Sequence, residues 1–196
     1  VLTVEDVTAC LVTRGDQPEQ MERIIATLPY GQIIVWDNSV YEDFKTAGRY
    51  AAMLEAPTRY VYFQDDDTLF THHAELVAEH EPGCIVATYG HGDNDGGYGD
   101  LPLVCGGAIA DKFAVISAMR NYNPAPLDKW SDEDLYYADF AIGVLCPFWH
   151  VPLPFEINLA IAQHPSRLCN QPWAADAKAR VTERARKIRD GALSVA

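Results

Sequence analysis

The stretch Tyr60-Val61-Tyr62-Phe63-Gln64-Asp65-Asp66-Asp67 constrains this chain more than any other. Four residues that favour a pleated, buried setting run directly into three consecutive carboxylates, so the pattern predicts a buried strand delivering negative charge to its own C-terminal end. In open α/β sheets, ligands bind at that edge. Three adjacent acids repel one another and gain nothing from packing, whereas a hard divalent cation with oxygen ligands would stabilise them. From the residues alone the alternative is an acidic turn that closes the strand and caps the next helix through Asp67 or Thr71.

The flanking sequence supplies the architecture. A first strand is expected over residues 7–12, followed by the turn Thr13-Arg14-Gly15-Asp16. Pro18, Glu19 and Glu22 then open a helix that reaches about residue 28, because proline suits a first helical turn and acids favour its positive end. A second strand over 32–36 ends in Asp37-Asn38-Ser39, and Phe44, Ala47, Ala51 and Leu54 mark a helix over 42–55. Strands alternating with single helices predict βαβ units, hence an α/β three-layer sandwich around a mostly parallel central sheet.

Downstream the pattern predicts a helix over 71–80 and a strand over 84–88. The glycine- and acid-rich segment 89–100 is expected to be a loop, either a flap over the site or plain surface. It does not make an EF-hand, since Gly97 stands where an oxygen ligand is needed. Gly106-Gly107 interrupts a short apolar run, a helix spans 111–120, and Ser131 caps an acidic helix start that runs to about residue 142. Prolines make 144–154 an edge strand or a wandering loop. A linker over 165–173 leads to a terminal helix over about 174–189.

Composition limits the partners. A formal net charge of −13 argues against broad attachment to nucleic acid or anionic membrane. The charge is uneven, because residues 176–190 hold six basic side chains against three acids. That tail is either the solvated face of a terminal helix or a docking surface for a phosphorylated acceptor. No apolar run approaches the roughly 18–20 residues of a membrane span, which predicts no membrane span and a soluble, cytoplasmic protein. Five widely spaced cysteines, mostly inside apolar runs and without a Cys-x-x-Cys pair, are expected to be buried free thiols of a reducing compartment.

Taken in order, these pieces resemble the nucleotide-sugar-dependent glycosyltransferases of the GT-A fold, especially the family-two-like group. Leu11-Val12-Thr13-Arg14 matches the turn that touches the nucleotide, and Ile33-Ile34-Val35-Trp36-Asp37-Asn38-Ser39 matches the strand whose acid contacts the base. Asp65-Asp66-Asp67 meets the Asp-x-Asp signature, Cys105-Gly106-Gly107-Ala108 the glycine pair facing sugar and acceptor, and Glu133-Asp134 the acidic pair beneath the acceptor. The resemblance implies a catalytic domain over residues 1–175, with a basic helix over 176–196 packed on it or extending from it. It implies a nucleoside-diphosphate sugar, UDP-linked, as donor, bound by Thr13, Arg14, Asp37, Arg49, Asp65 and Asp66. Mn²⁺ or Mg²⁺ is then held by Asp67 and by His164, with His150 as second choice. The acceptor, a carbohydrate or small hydroxylated molecule, with nucleic acid or a phosphorylated molecule as alternatives, is implied to lie near Gly106, Gly107 and Trp130. Trp130 is equally readable as core. In an inverting reaction Asp134 would be the general base, with Glu133 or Asp132 able to take its place.

Other classes share parts of the pattern. A haloacid-dehalogenase-type phosphatase has Asp-x-Asp on its first strand and asks for Thr or Val where Leu69 stands. A nucleotidyltransferase needs a glycine-rich basic loop that Thr13-Arg14-Gly15-Asp16 imitates poorly. A non-catalytic cation- or carbohydrate-binding module would keep the acids without the chemistry.

Overall fold

The computed structural model describes residues 1–91, 101–165, 167 and 170–193. Two βαβ units begin the chain: β1 (Val7–Thr13), α1 (Pro18–Thr27), β2 (Gln32–Asp37), α2 (Gly48–Glu55) and β3 (Tyr60–Phe63). Strand β1 pairs in parallel with β2 on one side and β3 on the other, so the chain reverses its direction of travel across the sheet beside β1. A short β4 (Thr68–Phe70) and α3 (His73–Ala78) follow, then β5 (Ile85–His91), β6 (Leu101–Asp111) and α4 (Lys112–Tyr122). After α5 (Asp132–Tyr136) and α6 (Ala138–Leu145) come β7 (Phe148–His150), β8 (Phe155–Ile157), α7 (Leu159–Ala162) and α8 (Ala174–Arg189). The six-stranded sheet has the order β2-β1-β3-β6-β5-β7, with β6 antiparallel to both its neighbours and the remaining pairings parallel.

Period-two alternation sorts each strand between two cores. Val61 and Phe63 join Ala108, Ala110 and Ile85 under α2, α4, α6 and α8, while Tyr62, Ile109 and Val86 join Leu11 under α1 and α3. The protein is therefore an α/β sandwich with helices on both faces of a mostly parallel sheet. Helix α8 belongs to the first core through Ala174, Ala177, Val181 and Ala185. No helix among the described residues is long and apolar enough to cross a membrane. Cys10, Cys84 and Cys146 are free thiols, the first and last of them buried.

Four local expectations change. The helix expected over 42–55 begins only at Gly48, after a 3₁₀ turn at Lys45–Ala47. Side chains take up the backbone groups ahead of it: Asn38 accepts from Phe44 N and donates to Lys45 O, and Trp36 donates to Glu42 O. The helix expected to reach residue 142 breaks at Tyr137 into α5 and α6. Residues 89–91 extend β5 instead of starting a loop, and the rest of that segment, 92–100, lies outside the described residues.

The fourth change is the largest. Gly106-Gly107 does not break a strand but lies inside β6, and β8, which the sequence reading passed over, pairs antiparallel with β4 above it. A Cβ at Gly106 would stand 2.8 Å from Phe155 Cε1, and one at Gly107, where φ is +114°, 3.1 Å from Phe70 Cγ. The glycines let β4 and β8 settle onto β6. Gly106→Ala should therefore lower stability by about 1–3 kcal/mol, the range for overpacking. Adding Phe155→Ala should make the pair less costly than the sum of the singles, as read from urea unfolding of the four proteins in the cycle.

Candidate functional site

The acid triplet sits beyond the C-terminal end of β3, on a turn fixed from beneath. Buried Gln64 accepts from Tyr62 Oη at 2.7 Å and donates to Thr68 O at 2.9 Å, tying the strand end to β4. Above this staple the three carboxylates take different partners. Asp65 Oδ1 accepts from Arg49 Nη2 at 2.5 Å, and the same guanidinium nitrogen lies 3.7 Å from Asp139 Oδ2. Asp66 Oδ1 accepts from Arg167 Nη1 at 2.8 Å. Asp67 has no ion pair among the described residues; Thr68 Oγ1 donates weakly to it at 3.3 Å.

Electrostatics follows from these partners. Burial, reinforced by repulsion from Asp65 and Asp66, pushes the Asp67 carboxyl up to about 6. Burial also raises Asp66 and Asp139, against the pull of Arg167 on the one and Arg49 on the other. Burial opposes the Arg49 charge, yet Asp139 and Asp65 outweigh it and hold the guanidinium protonated.

The turns after β1 and β2 meet at the same edge. Thr13 Oγ1 accepts from Gly15 N, and Asp37 Oδ1 accepts from Ser39 N at 2.8 Å and Ser39 Oγ at 2.6 Å. Gly15 has φ +76°, and a Cβ there would stand 2.4 Å from Ser39 Oγ, so the close approach requires glycine. Arg14 forms an ion pair with Asp16, and Asp16 adds to the field at Asp66 and Arg167. Thr13, Arg14, Asp37, Asp65, Asp66 and Asp67 thus share one end of the sheet. Arg49 is present too, but 1% exposed and committed to Asp65 and Asp139.

Several expected site residues lie elsewhere or do something else. Asp134 accepts from Tyr122 Oη, from Ser131 Oγ at 2.9 Å and from Arg184 at 3.4 Å, while Glu133 receives two bonds from Arg180. These acids clamp α8 onto α5, and among the described residues none of their hydrogen bonds or ion pairs reaches the triplet. This corrects the reading of Asp134 as a carboxylate open to an acceptor. Trp130 is 6% exposed and donates to Ala125 O, a core position instead of a sugar platform. Gly106 and Gly107 are covered by the Phe155 and Phe70 rings. His150 Nε2 lies 3.2 Å from Thr88 O on the far edge strand. His164 is exposed, and its main-chain oxygen accepts from Arg167 N in the turn that leads to Asp66.

Two residues of the cluster escaped the sequence reading. Asp139 lies in the first turn of α6, and only the break at Tyr137 brings it to Arg49 and to Tyr50 Oη, which donates to it at 2.5 Å. Arg167 lies in a segment without periodicity, where no sequence signal marks it.

No group of three or more His, Cys, Asp or Glu side chains converges as a metal cage among the described residues. The donor set nevertheless fits Mg²⁺ or Mn²⁺, which commonly bind through one or two carboxylates together with substrate phosphates and water. Asp67 is the carboxylate left for that role, lacking any ion pair and strained by its neighbours.

The raised Asp67 pKa carries a stability consequence. Folding makes this group hold its proton more tightly, so it costs nothing well below pH 4 and destabilises the fold progressively as pH climbs through about 6. Asp67→Asn should therefore stabilise the protein in chelator at pH 7.5 by about 1–3 kcal/mol. The gain should shrink toward zero at pH 4, as followed by thermal unfolding across the pH range.

The chain matches no protein-family model and no curated protein sequence.

Proposed function

We propose that the chain is a metal-dependent glycosyltransferase of the GT-A type that moves a sugar from a nucleoside-diphosphate sugar, UDP-linked, to a hydroxyl acceptor with inversion. One observation carries this reading: an acidic turn at the ligand-binding edge in which Asp67 has no ion pair among the described residues while the guanidinium of Arg167 lies alongside. A site with an unmatched carboxylate beside a basic group suits a ligand that brings a metal ion and an anion together. Asp37, at the end of β2, is the candidate contact for the base, and Thr13 and Arg14 border the same edge.

The chemistry asks for two things. The acceptor oxygen forms its bond to the anomeric carbon as the bond from that carbon to the diphosphate oxygen breaks, and the hydroxyl proton must leave. When bound, Mn²⁺ or Mg²⁺ supplies Lewis-acid neutralisation of the departing diphosphate. Asp139 replaces Asp134 as the candidate proton acceptor. Arg49 holds it beside Asp65, and burial raises its affinity for a proton. A positioned carboxylate in this role contributes about 10²- to 10⁴-fold.

The acceptor is proposed to be a carbohydrate or small hydroxylated molecule. Docking of a nucleic acid or phosphorylated acceptor on α8 is disfavoured, because Arg180 and Arg184 are engaged by Glu133 and Asp134.

Thermal unfolding with UDP and UDP-sugars tests the donor. Saturation at 100 times Kd should add about 2.7 kcal/mol, and the shift should fall sharply when Mn²⁺ is replaced by chelator. Donor affinity in chelator equal to that in Mn²⁺ would reject the metal-dependent reading. Donor hydrolysis separates an enzyme from a binding module. For the base, Asp139→Asn should keep donor Kd and cut single-turnover transfer about 10²- to 10⁴-fold. Both substitutions remove a carboxylate partner of an arginine and should lower stability, but Asp134→Asn should leave transfer near that of the parent.

A further inference from the structure

We infer that Arg167 is an anion receptor for the diphosphate of the ligand, and that Asp66 is its positioning residue and contacts neither ribose nor metal. The inference rests on the nucleoside-diphosphate reading above and assigns the triplet's middle acid a different task.

The guanidinium of Arg167 is nearly enclosed, with 13% of its side chain exposed, and Asp66 is 11% exposed. Among the described residues only Nη1 finds a partner, in the 2.8 Å bond to Asp66. Nε and Nη2 are sealed from solvent and have no hydrogen-bond partner among the described residues, so the side chain must turn outward to present them to an anion. On the other side of the triplet Arg49, with 2% of its side chain exposed, also has a buried nitrogen, Nη1, without a partner among the described residues. Buried charged donors left unsatisfied are costly, so their presence at one ligand-binding edge needs an explanation. An oxyanion with several acceptor oxygens supplies one, because the planar fork of arginine matches phosphate geometry in a bidentate way.

The main chain at Arg167 is tied into the fold. Asn158 N donates to Asp67 O at 2.7 Å where α7 begins. Beyond α7, Arg167 N donates to His164 O. Asn170 Nδ2 donates to Ala162 O and His164 O, and Gln171 Nε2 to Pro165 O and Arg167 O. Side-chain amides thus hold the main-chain oxygens of Ala162, His164, Pro165 and Arg167 before any ligand arrives. With Asp66 occupied by Arg167, Asp67 is left for the cation, and the negative charge of the diphosphate is neutralised from two sides. Part of the diphosphate affinity should then survive without metal.

Titration calorimetry of the full chain with inorganic pyrophosphate and with UDP, each in Mn²⁺ and in chelator, tests this. The parent should bind pyrophosphate in chelator, more weakly than in Mn²⁺. Arg167→Gln should lose about 10- to 100-fold in affinity under both conditions, the range for a hydrogen bond to a charged group. Arg167→Lys, which keeps the charge without the fork, should fall between. Asp66→Asn should weaken pyrophosphate binding while Mn²⁺ binding measured alone stays at the parental value. A folded Arg167→Gln protein with parental pyrophosphate and UDP affinity overturns the inference and leaves the donor reading standing. Pyrophosphate binding that depends on Arg167, with no nucleotide bound, keeps the receptor and removes the donor reading. Should Arg167→Gln fail to fold, Asp66→Asn decides, and parental pyrophosphate affinity in that variant overturns the proposal.

Discussion

The site depends on one guanidinium removed from water. Arg49 lies in α2, its Nε donates to Thr46 O, and its Nη2 reaches both Asp65 beyond β3 and Asp139 in α6. Three elements far apart in sequence are therefore fastened at a single charged point. Isolating such a charge is expensive unless carboxylates and hydrogen bonds match it, and removing one partner typically costs about 3–5 kcal/mol because the others stay buried. The arrangement gives the acid turn a fixed orientation and also restrains Asp139, whose other contact is the hydroxyl of fully buried Tyr50.

Around that point three neighbouring aspartates differ because their surroundings differ. Asp65 is matched by an arginine with 2% of its side chain exposed, Asp66 by one with 13% exposed, and Asp67 by a single weak hydroxyl bond. A purely structural acidic turn would be expected to satisfy or solvate all three carboxylates alike. Burial of the third, reinforced by the repulsion of the other two, raises its proton affinity toward neutrality. The triplet is asymmetric in a way that suits a cation at one end and an anion at the other.

What could be read from the sequence was what local periodicity and turn chemistry encode. The two βαβ units, the strand of Tyr60–Phe63 and the terminal helix at Ala174–Arg189 follow from alternation, proline placement and apolar spacing. The convergence of Thr13, Asp37 and Asp65 at one edge follows from the parallel topology of those units. Tertiary facts were not legible. Glu133-Asp134 has the composition of a catalytic pair, but Arg180 and Arg184 lie across from it, and only the docking of α8 reveals that the pair is a clamp. Gly106-Gly107 has the composition of a strand break, yet within a sheet a missing side chain equally makes room for another chain segment.

That second ambiguity joins the fold to the site. Because β6 presents two glycines, Phe155 can press against it, and β8 then pairs with β4 directly after the acid turn. The pairing brings Asn158 to the backbone of Asp67, α7 starts there, and the turn beyond α7 sets Arg167 on Asp66. Arg167, in a segment that looks like a linker by composition, thereby joins the site, positioned by packing some fifty residues earlier in the chain. The late segment 155–167 can serve the site only because the glycine pair gives it a surface on which to dock.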